Sequence, residues 1–234
     1  MAYGLNDYLD ALKKNLGGEL ESVILYGSKA FGEELKGSDH NLLVVLGSAR
    51  PELMEKLHSD TLKWTALGNR PPMFFTAGEL RGACDVFPIE FNDIKEKHKV
   101  LHGSDVAAGL KVENTHLRHE CEYELRGKLL KLRQSYIMSA GKPGILCGIM
   151  ADTVSSVAVL FRHVVTLFGE KAPEKKYDSF KVLSARTGID AAIFEEIIRL
   201  RNGAAVKGAS EAGALMGQYM SQIEKVIKAV DEIK

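Results

Sequence analysis

Residues 22–46 read SVILYGSKAFGEELKGSDHNLLVVL, two apolar runs joined by a Gly-Ser pair and a polar stretch. Val23–Tyr26 and Leu42–Leu46 have the composition of buried β-strands. Gly27 directly follows the first run, where a residue without a Cβ lets the backbone approach a ligand closely. This order predicts two strands of one sheet, with a Gly-Ser turn and a short helical piece between them.

The Gly-Ser turn has features of a phosphate site. Ser28 adds a hydroxyl donor and Lys29 a positive charge. A helix that began at this turn would direct free N–H groups and the positive end of its dipole toward an anion. Asp39 and Asn41 are two residues apart on the second strand, so both project from one face, where two oxygens can reach one metal ion.

This segment resembles the signature of the nucleotidyltransferase superfamily, which includes polymerase-β-like and antibiotic nucleotidyltransferase enzymes. That signature is a Gly-Ser after a strand, an Asp-x-Asp on the next strand, and a third carboxylate on a later strand. Here ten residues, 29–38, separate Gly27-Ser28 from Asp39-His40-Asn41. The resemblance implies an α/β domain with a mixed sheet that binds a nucleoside triphosphate such as ATP, together with magnesium.

The resemblance also assigns roles to single residues. The nucleotide-binding residues would be Gly27, Ser28, Lys29 and Ser38, the metal ligands Asp39, Asn41 and Glu90, and the catalytic carboxylates Asp39 and Glu90. Glu90 is chosen because it lies in the apolar run 86–91, which is interpreted as a strand, whereas Asp85 precedes that run. The implied reaction is two-metal transfer of a nucleotidyl group to a hydroxyl acceptor.

The chain departs from the signature at two positions. Asn41 offers a neutral carbonyl oxygen where the family has a carboxylate, so weaker metal binding and attenuated transfer are expected. His40 replaces an apolar residue, and its side chain should face the opposite side of the strand. Two hypotheses stay open: an attenuated nucleotidyltransferase, and a catalytically inactive module that binds a nucleotide or a protein partner.

The pattern of strands and helices continues to about residue 112. Further strands are predicted at Met73–Phe75 and 86–91. A charged turn near residue 97 is followed by a short apolar edge, where the resemblance implies a last strand that closes the sheet. Helices are predicted over 51–66 and over 77–84, the second with Thr76 as its N-cap. Residues 1–112 are therefore predicted to form the α/β domain.

Beyond that point the apolar residues follow a helical period and no strand is predicted. The five predicted helices are Leu117–Met138, Ile145–Phe168, Ser179–Thr187, Ala191–Arg201 and Glu211–Lys234. Residues 113–234 are thus expected to form an all-α helical bundle. Lys and Arg number 13 against 16 Asp and Glu in residues 1–112, and 18 against 15 in residues 113–234.

Composition excludes several classes of protein. With 234 residues, 45% of them hydrophobic, 22 Gly, 6 Pro and 3 Cys, the chain is neither disordered, nor collagen-like, nor a disulfide scaffold. Polar residues interrupt the apolar stretch 145–168, so a buried helix is expected there and no membrane span. We expect a cytoplasmic protein with reduced thiols, whose helical half has apolar stripes that would support a homodimer.

A ribonuclease function is not supported. Helical partners of minimal nucleotidyltransferases that act as nucleases carry an Arg, often followed by Asn, a few residues before a His. Arg201-Asn202 is present, but residue 207 is Lys and no His follows His163.

Overall fold

The computed structural model of the chain describes residues 3–31, 40–205 and 208–233. After Glu113 the chain divides into two compact units. The strands of the first unit are β1 (Leu20–Tyr26), β2 (Asn41–Leu46), β3 (Met73–Thr76) and β4 (His98–Gly103). They form one sheet in the order β3-β2-β1-β4, in which β1 is antiparallel to β2 and β4, and β2 is parallel to β3. The predicted mixed α/β sheet is confirmed.

Helices cover both faces of this sheet. They are α1 (Leu5–Leu16), α2 (Pro51–Glu55), α3 (His58–Ala66), α4 (Ala77–Gly82) and α5 (Pro88–Glu96). On one face Tyr8, Leu12 and Trp64 of α1 and α3 pack against the strands, and on the other face Leu80, Phe91 and Ile94 of α4 and α5 do so. Successive strand residues alternate between these two layers, as the period of a β-strand requires.

Two of the helices in this unit's sequence were predicted, and a third was not. The helix with Thr76 as N-cap is confirmed as α4, where Glu79 N donates to Thr76 Oγ1 at 3.3 Å and Thr76 N donates to Glu79 Oε2 at 2.8 Å. The helix predicted over 51–66 is two helices, α2 and α3. Helix α1 was not predicted, although its buried Tyr8, Leu12 and Leu16 have helical spacing.

The strand predicted over 86–91 is wrong. Val86 is 58% exposed and Phe87 39% exposed, and α5 begins at Pro88. Proline suits the first position of a helix because its φ is already helical and its missing N–H needs no partner there. Phe91 and Ile94 are both buried and three residues apart, which is the period of a helix and not of a strand.

The last predicted strand is confirmed as β4, which closes the sheet beside β1. Tyr26, the final residue of β1, pairs with His98 on β4 and with Asn41 on β2. At the other end Gly103 pairs with Ser22, and the Ser22 hydroxyl, which is buried, donates to the Ser104 carbonyl oxygen at 2.7 Å. The ends of three strands thus meet at the Gly27 edge of the sheet.

The second unit is helical, and all five predicted helices are confirmed. They are α6 (Asn114–Met138), α7 (Pro143–Leu167), α8 (Ser179–Thr187), α9 (Ala191–Arg201) and α10 (Ala209–Asp231), with no strand in 114–205 or 208–233. α7 packs against α6, α8, α9 and α10. Within the described ranges α7 alone is long and apolar enough to cross a membrane by length and composition, a test that the core helix of a bundle also passes.

Asp60 links α1 to α3. Its carboxylate accepts hydrogen bonds from Asn15 Nδ2 at 3.2 Å, Lys63 Nζ at 3.1 Å and the Tyr3 hydroxyl at 3.4 Å. The bond from Lys63 is the largest cause of a pKa of Asp60 below its ordinary value, while burial raises the pKa of Tyr3 to about 12. The ionised carboxylate therefore stabilises the contact between these two helices.

Asp60→Asn is expected to lower the free energy of unfolding by about 1 kcal/mol at neutral pH, since the bonds to a charged acceptor weaken. Because the folded pKa of Asp60 is lowered, its contribution is complete above the ordinary Asp pKa of about 3.9 and is lost as the pH falls through the folded value. Urea unfolding at neutral and acidic pH measures this, with the exposed Asp10→Asn as control. An equal loss at both pH values would contradict it.

Candidate functional site

The Gly-Ser turn and the start of β2 lie at the same end of the sheet. Gly27 has a φ of +78°, in the left-handed region that favours glycine, and its carbonyl oxygen accepts a hydrogen bond from Ala30 N at 3.0 Å. This bond closes a short 3₁₀ turn over Ser28–Phe31. A Cβ added to Gly27 would lie 2.8 Å from Asn41 Nδ2. The structure therefore places two of the predicted site residues, Gly27 and Asn41, side by side.

His40 and Asn41 belong to opposite faces of β2. The His40 ring lies 5.5 Å from the Trp64 ring, on the face covered by α1 and α3, and His40 N donates to Asn69 Oδ1 at 3.0 Å. Strand alternation puts Asn41 on the side of Leu43 and Val45, which α4 and α5 cover. The predicted orientation of His40, away from the face of Asn41, agrees with this arrangement.

The side chain of Lys29 lies at this end of the sheet. Its Nζ lies 3.2 Å from His40 Nδ1, and the same ring nitrogen lies 3.2 Å from Asn69 Oδ1. Nδ1 can accept from Lys29 only when it is unprotonated, and it can donate to Asn69 only when it is protonated. The tautomer of His40 therefore decides which of the two contacts is a hydrogen bond.

Two predicted site residues, Ser38 and Asp39, lie outside the described residues. For them the assignments from the resemblance stay predictions. Lys207, which entered the argument against a ribonuclease, also lies outside them.

Glu90 is not on a strand, contrary to the prediction. It occupies the first turn of α5, next to the buried Phe91. The strands that follow β2, namely β3 and β4, contain no Asp or Glu, so the sheet as described supplies no third carboxylate. Phe91 and Ile94 nevertheless pack α5 onto the sheet face to which Asn41 belongs. Glu90 thus belongs to a helix that covers the predicted site face.

The described residues do not by themselves make a magnesium site. Within 3–31, 40–205 and 208–233, no three His, Cys, Asp or Glu side chains are grouped so as to hold a metal ion. Magnesium prefers carboxylate and other oxygen ligands. A magnesium site at this edge would therefore need further carboxylates, such as that of Asp39, which lies outside the described residues.

His98 is a residue at this edge that the sequence did not indicate. Its Nδ1 lies 2.6 Å from the Ile94 carbonyl oxygen, and its Nε2 lies 3.0 Å from Asp105 Oδ1. Both partners are acceptors, so only the doubly protonated ring can donate to both. The pairing of β4 with β1 brings His98 beside Tyr26, far from it in sequence. Lys29 and His98 thus lie at the same edge of the sheet, where both ring nitrogens of His98 are within hydrogen-bond distance of Ile94 and Asp105.

Comparisons with known proteins bear on the fold. No protein-family profile matches the chain, and no curated protein matches its sequence. Among solved structures it is similar to spectinomycin adenyltransferase AAD(9) from Enterococcus faecialis, determined with ATP and spectinomycin. The TM-score is 0.59 at 12% identity, over 94% of this chain and 100% of that chain. The chain has the nucleotidyltransferase fold followed by a helical region.

A second solved structure is a toxin-antitoxin with AMP-PNP. It matches 43% of this chain and 76% of that chain at 25% identity, with a TM-score of 0.29. A TM-score of 0.29 is too low to indicate a shared fold. The conclusion about the nucleotidyltransferase fold therefore depends on the adenyltransferase together with the sheet and the Gly27 turn described above.

Proposed function

We propose that this protein binds a nucleoside triphosphate at the Gly27 turn and transfers a nucleotidyl group to a hydroxyl acceptor at an attenuated rate. The observation that carries the proposal is that Gly27 lies beside Asn41 where β1 ends and β2 begins, so that a Cβ added to Gly27 would be 2.8 Å from Asn41 Nδ2. The signature of the nucleotidyltransferases requires this juxtaposition of the Gly-Ser turn and the metal-binding strand. The likeness to an adenyltransferase determined with ATP supports it.

The proposal gives each predicted residue a role. Gly27, Ser28, Lys29 and Ser38 would bind the triphosphate, and Asp39, Asn41 and Glu90 would be the side chains available to magnesium. The ion would supply positive charge to balance the phosphates. Two features explain attenuation: Asn41 is neutral where the signature has an acid, and Glu90 projects from α5 instead of from a strand.

Asn41→Asp tests this function. Restoring the second carboxylate is expected to raise pyrophosphate release from nucleoside triphosphates in magnesium or manganese by about tenfold or more, because these cations bind mainly through charged oxygens. Asn202→Asp, the same change at an exposed residue of the helical unit, is the matched control and should have no effect. Asp39→Asn in the Asn41→Asp background should abolish the gain. Absence of pyrophosphate in every variant would reject nucleotidyl transfer.

A second candidate function is nucleotide binding without catalysis, in a regulatory or scaffold module. The absence of an acid from β3 and β4 favours it, as does the ammonium group of Lys29 at the Gly27 edge. Titration calorimetry with ATP distinguishes the two. Binding of ATP without pyrophosphate release, in both the natural chain and Asn41→Asp, would establish this second function. If neither protein binds ATP, both functions are rejected.

The partners that belong to the proposal are a nucleoside triphosphate, a hydroxyl acceptor or a protein partner, and a second copy of the chain. We place the protein in the cytoplasm, without a membrane partner. Two observations support this placement: Cys84, Cys121 and Cys147 are buried thiols, and α7 buries twelve of its residues, most of them apolar, such as Met150, Val154 and Phe161.

A further inference from the structure

The ring and the main chain of His40 are both anchored. The ring lies 5.5 Å from the ring of Trp64, which is fully buried and whose Nε1 donates to the Arg70 carbonyl oxygen at 2.8 Å. In the main chain, His40 N donates to Asn69 Oδ1 at 3.0 Å, and Asn69 Nδ2 donates to the Trp64 carbonyl oxygen at 3.3 Å. Nδ1 of His40 therefore has a defined position at the Gly27 edge of the sheet.

Lys29 is the cationic residue that contacts this nitrogen. Its Nζ lies 3.2 Å from His40 Nδ1. An ammonium group has three N–H donors and no acceptor, so a hydrogen bond between the two requires Nδ1 to be the acceptor. Asn69 Oδ1, which also lies 3.2 Å from Nδ1, already accepts from His40 N and does not need the ring as a donor. The surroundings therefore favour the neutral ring with its proton on Nε2.

This contact holds the ammonium group of Lys29 without neutralising it. The ring is neutral in this tautomer, and within 3–31, 40–205 and 208–233 no Asp or Glu forms an ion pair with Lys29. Nδ1 uses one of the three ammonium donors, so two remain for another acceptor. Lysine also loses much conformational entropy when a ligand immobilises it. A histidine that already holds Lys29 lowers this cost for an anionic ligand.

We propose that His40 is a positioning residue, which holds the Lys29 ammonium group at the Gly27 turn for the phosphates of a nucleoside triphosphate. The inference rests on the proposed function, in which Lys29 binds the triphosphate. His40 itself contacts no phosphate in this arrangement, because its ring lies on the sheet face opposite Asn41. This role gives a physical reason for a histidine where the signature has an apolar residue.

Two substitutions separate the acceptor of His40 from its ring. His40→Phe keeps a ring against Trp64 but removes Nδ1, and it is expected to weaken ATP binding about fivefold in titration calorimetry, the effect of losing one hydrogen bond. His40→Asn removes the ring but puts an amide oxygen near the position of Nδ1, so its ATP affinity should stay within about twofold of the natural value. His58→Phe, at an exposed residue of α3, is the control and should have no effect.

Lys29→Met provides the second arm of the test. It should weaken ATP binding about tenfold, and His40→Phe added to it should weaken binding no further, because His40 acts only through Lys29. Circular dichroism and Trp64 fluorescence verify that every variant is folded.

The outcomes distinguish this inference from the proposed function. If the natural chain binds ATP but His40→Phe has no effect, or has the same effect with and without Lys29, the inference is overturned and the proposed function stands. The inference is also overturned if His40→Asn weakens binding as much as His40→Phe, since the ring and not the acceptor would then matter. A natural chain that does not bind ATP rejects the proposed function and this inference with it.

Discussion

Gly103→Ala is expected to destabilise the first unit by about 3 kcal/mol or more. Gly103 has a φ of +72°, and a Cβ there would lie 1.8 Å from the Glu21 carbonyl oxygen and 2.8 Å from the Glu21 carbonyl carbon. These are main-chain atoms of β1, so no side-chain rotation can relieve the overlap. β4 must move away from β1, which also strains the hydrogen bond between the buried Ser22 hydroxyl and the Ser104 carbonyl oxygen.

Urea unfolding followed by tryptophan fluorescence measures this effect. Trp64 is the one tryptophan of the chain and is fully buried in the first unit, so its signal reports on that unit. Gly68→Ala is the matched control, because Gly68 has a φ of +83° and no atom within 4 Å of an added Cβ. In the control, the free energy of unfolding should fall by only about 1 kcal/mol, which is the cost of a left-handed backbone conformation for alanine. Equal losses for the two variants would show that the overlap with β1 is absent.

Gly27→Ala is expected to weaken binding of ATP by about thirtyfold or more, with a smaller loss of stability. The substitution forces alanine into the left-handed backbone conformation of Gly27, with a φ of +78°, and places a methyl group 2.8 Å from Asn41 Nδ2. The Asn41 amide can rotate away, so the fold survives. The methyl group then occupies the surface on which the proposed function places the phosphates.

Calorimetry with ATP and urea unfolding separate the two consequences of Gly27→Ala. The double variant with Asn41→Ala removes the amide that the methyl group meets, so it should recover stability without recovering ATP affinity. Gly68→Ala should bind ATP as the natural chain does. If Gly27→Ala binds ATP normally, the Gly27 turn is not the nucleotide site and the proposed function is wrong.

In the segment 22–46, local sequence patterns correctly predicted the secondary structure of both apolar runs. Its two apolar runs predicted β1 and β2, because a continuous apolar run and β-branched composition are properties of neighbouring residues. The same is true of the Thr76 and Glu79 capping box and of the five helices in the second unit. Each depends on hydrogen bonds and side chains within a few positions along the chain, which are visible in the order of residues.

The segment 86–91 shows where those patterns were misinterpreted. A short apolar run that contains a carboxylate fits either a strand or a helix; its composition favoured a strand, and the resemblance then assigned the third carboxylate to Glu90 on that strand. Pro88 and the spacing of Phe91 and Ile94 were the signals of a helix. His98 had no signal at all, because only the pairing of β4 with β1 brings it to the Gly27 edge.

By itself, the sequence determined the α/β unit, the helical unit and the Gly-Ser turn after β1, because each follows from the period and conformational freedom of adjacent residues. The mixed arrangement of the strands was implied by the resemblance. Tertiary structure alone decided that Gly27 lies beside Asn41, that His98 lies beside Tyr26, and that Tyr123, Leu130 and Ile137 of α6 are exposed. α6 is apolar on two opposite sides, and only the packing of the neighbouring helices selects the side that is buried. Contacts between residues distant in sequence make these choices, so no local pattern contains them.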